Sequence, residues 1–175
     1  RLPENRVPEI LEAELSSVAL QCACWDGSGM ASLPWLTPPP PQSMAGAAKL
    51  LEELGATENG RITPRGRLMA SFPCHPRIAG MLLKAGKDRD SREMACRIAA
   101  LLGEKDPLPG AGCDLALRLD ATKSNPRISL AVKQFRNMLE AADRMGGASE
   151  GRGPVSEALL LAAAYPERVA RQIER

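Results

Sequence analysis

Side chains suited to acid–base or nucleophilic chemistry are sparse in this sequence. His75 is the one histidine, and among serines and cysteines only Cys74 is its neighbour, in a turn bounded by Pro73 and Pro76. Adjacent residues in such a turn more often pack than react. Five cysteines are present, but Cys22 and Cys24 sit two apart in a helical stretch and so point about 200° away from each other. Without ligand spacing of the structural-zinc kind, no metal is expected on Cys22, Cys24, Cys74 and His75. Carboxylates are scattered singly or paired with arginines. The G-x-x-x-x-G-K-[ST] loop that cradles nucleotide phosphates is missing, and so is Asp-Glu-x-His, because Phe72 and Pro73 precede the single histidine. By itself the chain is expected to be catalytically silent, with no cofactor of its own.

Positive charge is the more informative feature, because it is unevenly placed. The net charge is +2 over 175 residues. Residues 1–60 carry 3 basic and 8 acidic side chains, residues 61–92 carry 8 and 2, and residues 93–175 carry 12 and 11, giving balances of −5, +6 and +1. A basic island of this kind can dock phosphate even in a nearly neutral protein. Within it, Arg61, Arg65, Arg67 and Arg77 could touch nucleic acid or dock on another domain. Further on, Lys133, Arg136, Asn137 and Arg144 fall opposite an apolar stripe of Ile128, Ala131, Val132, Phe135, Met138, Leu139 and Ala142. Lys123 and Arg127 stand at the entrance of the same helix. Lys133, Arg136 and Asn137 are thus candidates to hydrogen-bond phosphates or sugars of a strand. A merely solvated helix face shows the same pattern, so periodicity leaves both readings open.

The elements that must position these residues are mostly helical. Aromatic residues make up 3% of the chain and hydrophobic residues 44%, with Ala, Leu, Arg and Glu dominant, which favours helices over sheets. Pro8 is expected to open a helix whose stripe is Leu11, Leu15, Val18, Cys22 and Trp25, stopped by Gly27 and Gly29. After Thr37-Pro38-Pro39-Pro40, Pro41 suits the first turn of a second helix that buries Met44, Ala47, Leu51 and Leu54 and ends at Gly55. Asn59-Gly60 between short flanks predicts a β-wing, and Thr63-Pro64 predicts the cap and first turn of a third helix. Helix, helix, wing, helix is the order of a winged-helix unit.

From Pro76 onward helix follows helix: Pro76–Ala85, Ser91–Leu102, Cys113–Ala121, Pro126–Met145 and Val155–Ala164, with Gly- or Pro-bearing breaks that suit an antiparallel bundle. The fold class expected is therefore mainly α: a winged-helix domain at 9–72, then a helical bundle at 73–146. The Gly-rich stretch Gly146–Gly153 reads as a flexible joint, with 147–175 opening a further segment. No signal peptide and no apolar run of membrane-spanning length is present. The start at Arg1 suggests a piece of something longer, and the odd, apolar-flanked cysteines suggest a reducing cytoplasm.

Sequence-specific DNA reading is disfavoured. The helix that would enter a major groove, Gln42–Leu54, offers Gln42, Ser43, Lys49, Glu52 and Glu53, two of them acidic. Base stacking is restricted by the scarcity of aromatics, with Trp25 and Phe135 expected on apolar stripes. Sequence-independent backbone tracking fits better.

Several segments, in order, resemble the region that follows the motor core of DEAH-box RNA helicases. They are Val7-Pro8-Glu9-Ile10-Leu11, Ser17-Val18-Ala19-Leu20-Gln21, Leu36-Thr37-Pro38-Pro39-Pro40-Pro41, Leu54-Gly55-Ala56, Gly60-Arg61-Ile62-Thr63-Pro64-Arg65-Gly66-Arg67 and Phe72-Pro73-Cys74-His75-Pro76-Arg77-Ile78-Ala79-Gly80-Met81-Leu82. Asp106-Pro107-Leu108-Pro109-Gly110-Ala111-Gly112-Cys113-Asp114-Leu115 and Tyr165-Pro166-Glu167-Arg168-Val169-Ala170 are similar to the bacterial HrpB group. Glu12 departs from the pattern, standing where many members have arginine. The resemblance implies that 1–8 connects to a motor domain, that 73–146 is a ratchet-like bundle, and that the region helps form a tunnel for single-stranded RNA, with DNA as a further substrate. It implies ATP and magnesium in the two motor domains, which would themselves be partners, and no membrane association. The alternative is a protein-interaction module that docks on the motor domains or on an activator; a stand-alone winged-helix regulator is disfavoured by the acidic reading helix.

Overall fold

A computed structural model describes residues 7–25, 30–112, 114–146 and 153–170. They divide into two compact units at the Pro76–Arg77 peptide, just past the boundary expected from the sequence. Of the expected connector 1–8 only Val7 and Pro8 are among the described residues, and of the expected joint 146–153 only Gly146 and Gly153.

In the first unit, Pro8 opens a single 3-10 turn, Glu9–Leu11. A fresh helix, α1 (Ser16–Trp25), starts after Glu14, whose carboxylate accepts from the Ser16 amide at 2.9 Å and the Ser16 hydroxyl at 2.7 Å. The restart leaves Leu11 outside α1, and within α1 the buried side is turned away from the expected stripe, which passed over Ala19 and Ala23. Leu15 and Cys22 are buried, but Val18 is 37% and Trp25 82% exposed, while Ala19, Leu20 and Ala23 face the core. The glycines expected to stop this helix lie outside the described residues.

Helix α2 (Pro41–Glu53) has its proline in the first turn and buries Ala47, Leu50 and Leu51. The chain leaves it through Gly55 at φ +68°, the left-handed position that terminates helices at little cost only for glycine. Strands β1 (Thr57–Glu58) and β2 (Arg61–Ile62) pair antiparallel, Thr57 with Ile62 and Glu58 with Arg61. Asn59 and Gly60 between them have φ of 50° and 74°, the two positive values of a type I′ hairpin turn. Thr63 then caps α3 (Pro64–Ala70), its side chain accepting from the Gly66 amide. Helix α1 packs on α2 and α3, around Leu15, Leu20, Leu51, Leu54, Met69 and Phe72.

The second unit takes up nearly all of α4 (Pro76–Lys84), whose Ala79, Met81 and Leu82 are fully buried. Asp88 caps α5 (Arg89–Gly103), accepting from the Ser91 amide, so this helix starts earlier than its apolar pattern alone indicates. Asp114 and Asn125 likewise cap α6 (Leu115–Ala121) and α7 (Pro126–Arg144). Helix α5 is the central element, packed against α6, α7 and α8 (Glu157–Ala164). Ile98, Ile128, Val132, Leu139 and Leu160 fill the space between them. Cys96 is part of this packing, and burial pushes its thiol up to about 12, which makes it inert at neutral pH. Helix α8 belongs to this same unit, and the Val155 amide just before it donates to Ser91 Oγ at 2.8 Å. Among the described residues no helix is long and apolar enough to cross a membrane.

Candidate nucleic-acid interface

Helix α7 presents its charged side as the sequence pattern requires. Ile128, Val132, Leu139 and Ala142 are buried, whereas Arg127, Lys133, Asn137 and Arg144 are exposed. Among the described residues Lys133 and Asn137 make no side-chain hydrogen bond or ion pair, and their spacing of four puts them side by side on one face. Lys123, before the helix, is exposed and pairs with Asp120 at 3.1 Å.

Arg136 is placed differently from the sequence expectation. It lies on the flank of α7 and not opposite the stripe, donating to Glu93 of α5 at 2.6 Å, with the two side chains 50% and 44% exposed. It lines a groove of about 680 Å³ with Lys87, Arg89, Arg92, Glu93 and Glu140. Arg92 is bound far more firmly in that groove. It forks onto both Asp143 oxygens at 2.6 and 2.9 Å and donates through Nε to the Gly86 carbonyl at 2.6 Å. The hydrogen bonds from Arg92 hold the Asp143 carboxyl below its usual range, against an opposing effect of burial.

Two of the expected contact residues are engaged inside the protein. Arg65 donates from Nε to the Leu54 carbonyl at 2.9 Å, satisfying an otherwise orphaned carbonyl at the end of α2. Arg77 donates from Nη1 to the Ala164 carbonyl at 3.0 Å and to Glu167 at 2.9 Å. Its guanidinium also sits 5.1 Å from the centre of the Tyr165 ring. Arg67 remains exposed, near Cys24, whose thiol is raised by burial despite the opposing charge of Arg67.

Folding also brings Ser16, Glu14 and His75 together, a cluster the sequence does not advertise. His75 Nε2 is 3.2 Å from Ser16 Oγ and 2.8 Å from Glu14 Oε2. One ring nitrogen faces both partners, and the Ser16 hydroxyl donates to the carboxylate. A catalytic triad needs the hydroxyl on one ring nitrogen and the carboxylate on the other, and Ser16 is fully buried, so this is a structural tie. No group of three or more His, Cys, Asp or Glu side chains that could hold a metal is found among the described residues.

Residues 47–74, from within α2 through the wing and α3 to Cys74, match the model of the helicase-associated domain (HA2), winged-helix family. The chain is 32% identical over 165 residues to the ATP-dependent RNA helicase HrpB of Escherichia coli K12, covering 94% of this chain and 19% of that protein. It is 36% identical over 111 residues to HrpA of the same organism, covering 60% of this chain and 8% of that one. A crystal structure of the E. coli DExH-box NTPase HrpB superposes with a TM-score of 0.77 at 31% identity, covering 100% of this chain and 20% of the other. The chain corresponds to the helicase-associated region of HrpB-like DEAH-box helicases.

This helicase-associated region spans about a fifth of the HrpB protein it matches. The family match centres on the wing and α3, where Arg65 and Thr63 are fixed by backbone contacts. The bundle residues Arg127, Lys133 and Asn137 lie outside that match but inside the overlap with the HrpB structure. Lys87, Arg89 and Glu93 escaped the reading of helix faces. The basic balance of residues 61–92 signals the first two, and no sequence feature signals that Glu93 meets Arg136.

Proposed function

We propose that this region holds one strand of RNA by its backbone while the motor domains of an ATP-dependent helicase step along it, without reading base sequence. DNA is a second substrate of the same chemistry. The observation that carries this reading is the exposed face of α7, where Lys133 and Asn137 stand ready to donate, with Arg127 a turn and a half away. That the relatives are described as RNA helicases supports it. In this reading ATP and magnesium belong to the motor domains, and the 175 residues contribute none of the phosphate-transfer groups.

The test is charge removal at Lys133 and Arg127, each changed to Gln, with RNA affinity measured against salt. Binding should weaken equally for all base sequences, since phosphates carry no base information. Each lost phosphate contact should flatten the slope of log affinity against log salt by about 0.7. Unchanged affinity and slope in a folded double variant would sink the reading.

A second reading has its own observation. An apolar groove of about 400 Å³ on the winged-helix unit is lined by Met30, Met44, Ala45, Ala48 and Leu51, which suits docking on a protein surface. A module of that kind would show protein binding that tolerates salt and no strand affinity.

A further inference from the structure

We propose that Glu93 competes with the phosphates of the bound strand for Arg136, so that the grip on RNA is held weak and is readily released. This rests on the strand-holding reading and extends it from α7 into the groove shared with α5.

Two ion pairs occupy this groove, and they differ in kind. Arg92 is fixed by two bonds to Asp143 and a third to the Gly86 carbonyl, with its side chain 19% exposed. Arg136 meets Glu93 through one hydrogen bond, and both side chains are about half exposed. A well-hydrated single contact contributes little and exchanges easily. A phosphate presents the same acceptor oxygens to a guanidinium and can take it bidentately. The pair is therefore the exchangeable element of the groove, and Arg92 with Asp143 is its fixed wall.

Charge balance gives Glu93 its effect. With Arg92 neutralised by Asp143, the remaining lining sets Lys87, Arg89 and Arg136 against Asp90, Glu93 and Glu140. Such a groove has no net attraction for a polyanion. Glu93 is 43 residues from Arg136 in sequence but in contact with it in the fold, and neutralising it frees the Arg136 donors and leaves one positive charge in excess. A strand holder that must release at each step benefits from a carboxylate that retakes the guanidinium as the phosphate leaves.

The experiment measures binding of a fluorescent oligouridylate to the full 175-residue chain across a salt series, for the unaltered chain, Glu93→Gln, Arg136→Gln and the double variant. Glu93→Gln should tighten binding about two- to fivefold, the scale of an exposed ion pair. Arg136→Gln should weaken it and flatten the salt slope by about 0.7. In the Arg136→Gln background the gain from Glu93→Gln should vanish, as coupled neighbours require. Arg136→Met, which removes the charge but keeps a long side chain to cover the helix surface, serves if Arg136→Gln fails to fold. If Arg136→Gln weakens binding while Glu93→Gln leaves it unchanged or weaker, Glu93 is only a tie between helices; the competition is overturned and strand holding survives. A gain from Glu93→Gln that persists without Arg136 overturns it too, because general acidity then explains the effect. If the unaltered chain does not bind the oligonucleotide at low salt, strand holding falls and this inference with it.

Discussion

His75 Nε2 lies 2.8 Å from the Glu14 carboxylate, joining positions 61 residues apart at the two ends of the winged-helix unit's chain. Glu14 also caps the first turn of α1 through Ser16, so one carboxylate both starts the first long helix and ties it to the turn leading into α4. Burial acts to raise the Glu14 pKa, but the hydrogen bonds from Ser16 and His75 together outweigh it and leave the group lowered. A carboxylate lowered in the folded state adds stability above its unfolded pKa, and that stability is lost as pH falls through the folded value. Glu14→Gln should therefore cost about 0.5–1 kcal/mol at pH 7, a capping-sized effect reduced by solvent screening. Urea unfolding of both proteins should show this gap closing as pH falls below the ordinary glutamate range. A gap that widens in acid would contradict the assignment.

Gly66 has no room for a side chain. A Cβ there would stand 2.0 Å from the Ala56 carbonyl oxygen and 2.6 Å from Ile62 Cδ1, so α3 could no longer sit against the wing. Gly66→Ala should destabilise by about 1–3 kcal/mol or more, as overpacking does. Gly46, inside α2, has nothing within 4 Å of its Cβ position. Gly46→Ala should instead stabilise by about 0.4–1 kcal/mol through lower unfolded-state entropy. Thermal unfolding midpoints that move in the same direction for both variants would contradict this contrast.

Arg77 sits among the basic residues that could touch nucleic acid, yet its Nη1 donates to the Ala164 carbonyl and to Glu167. Arg77→Gln removes the charge together with the guanidinium that donates to Ala164 and Glu167 and lies over Tyr165. It should lower the stability of the second unit by about 1.5–3 kcal/mol, the range for hydrogen bonds to charged groups. The salt slope of RNA binding should stay unchanged. A flatter slope with unaltered stability would return Arg77 to the strand path.

The features legible in the sequence are those decided within a few residues. Asn59-Gly60 requires positive φ twice and so makes the hairpin; Thr63 and Pro64 start α3; Pro41 and Gly55 bound α2. The buried side of α7 follows from its period because the helix is long, capped by Asn125 and uninterrupted. Periodicity failed in α1 because small residues mark much of its buried side. The buried side of α1 runs through Ala19, Leu20 and Ala23, and a stripe drawn instead through Val18 and Trp25 puts Trp25 inside although it is 82% exposed. The basic island was equally plain by composition, but composition assigns a charge and not its partner. Long guanidinium side chains reach whichever acceptor the packed helices bring near: a carbonyl for Arg65, a C-terminal turn for Arg77 and Glu93 for Arg136. Those acceptors lie 11, 87 and 43 residues away in sequence. Sequence alone thus determined the helices, the wing and the location of positive charge, because backbone dihedrals and caps are short-range. Which cations remained free to meet a strand was decided only by tertiary structure, because an ion pair depends on distances that the chain acquires on folding.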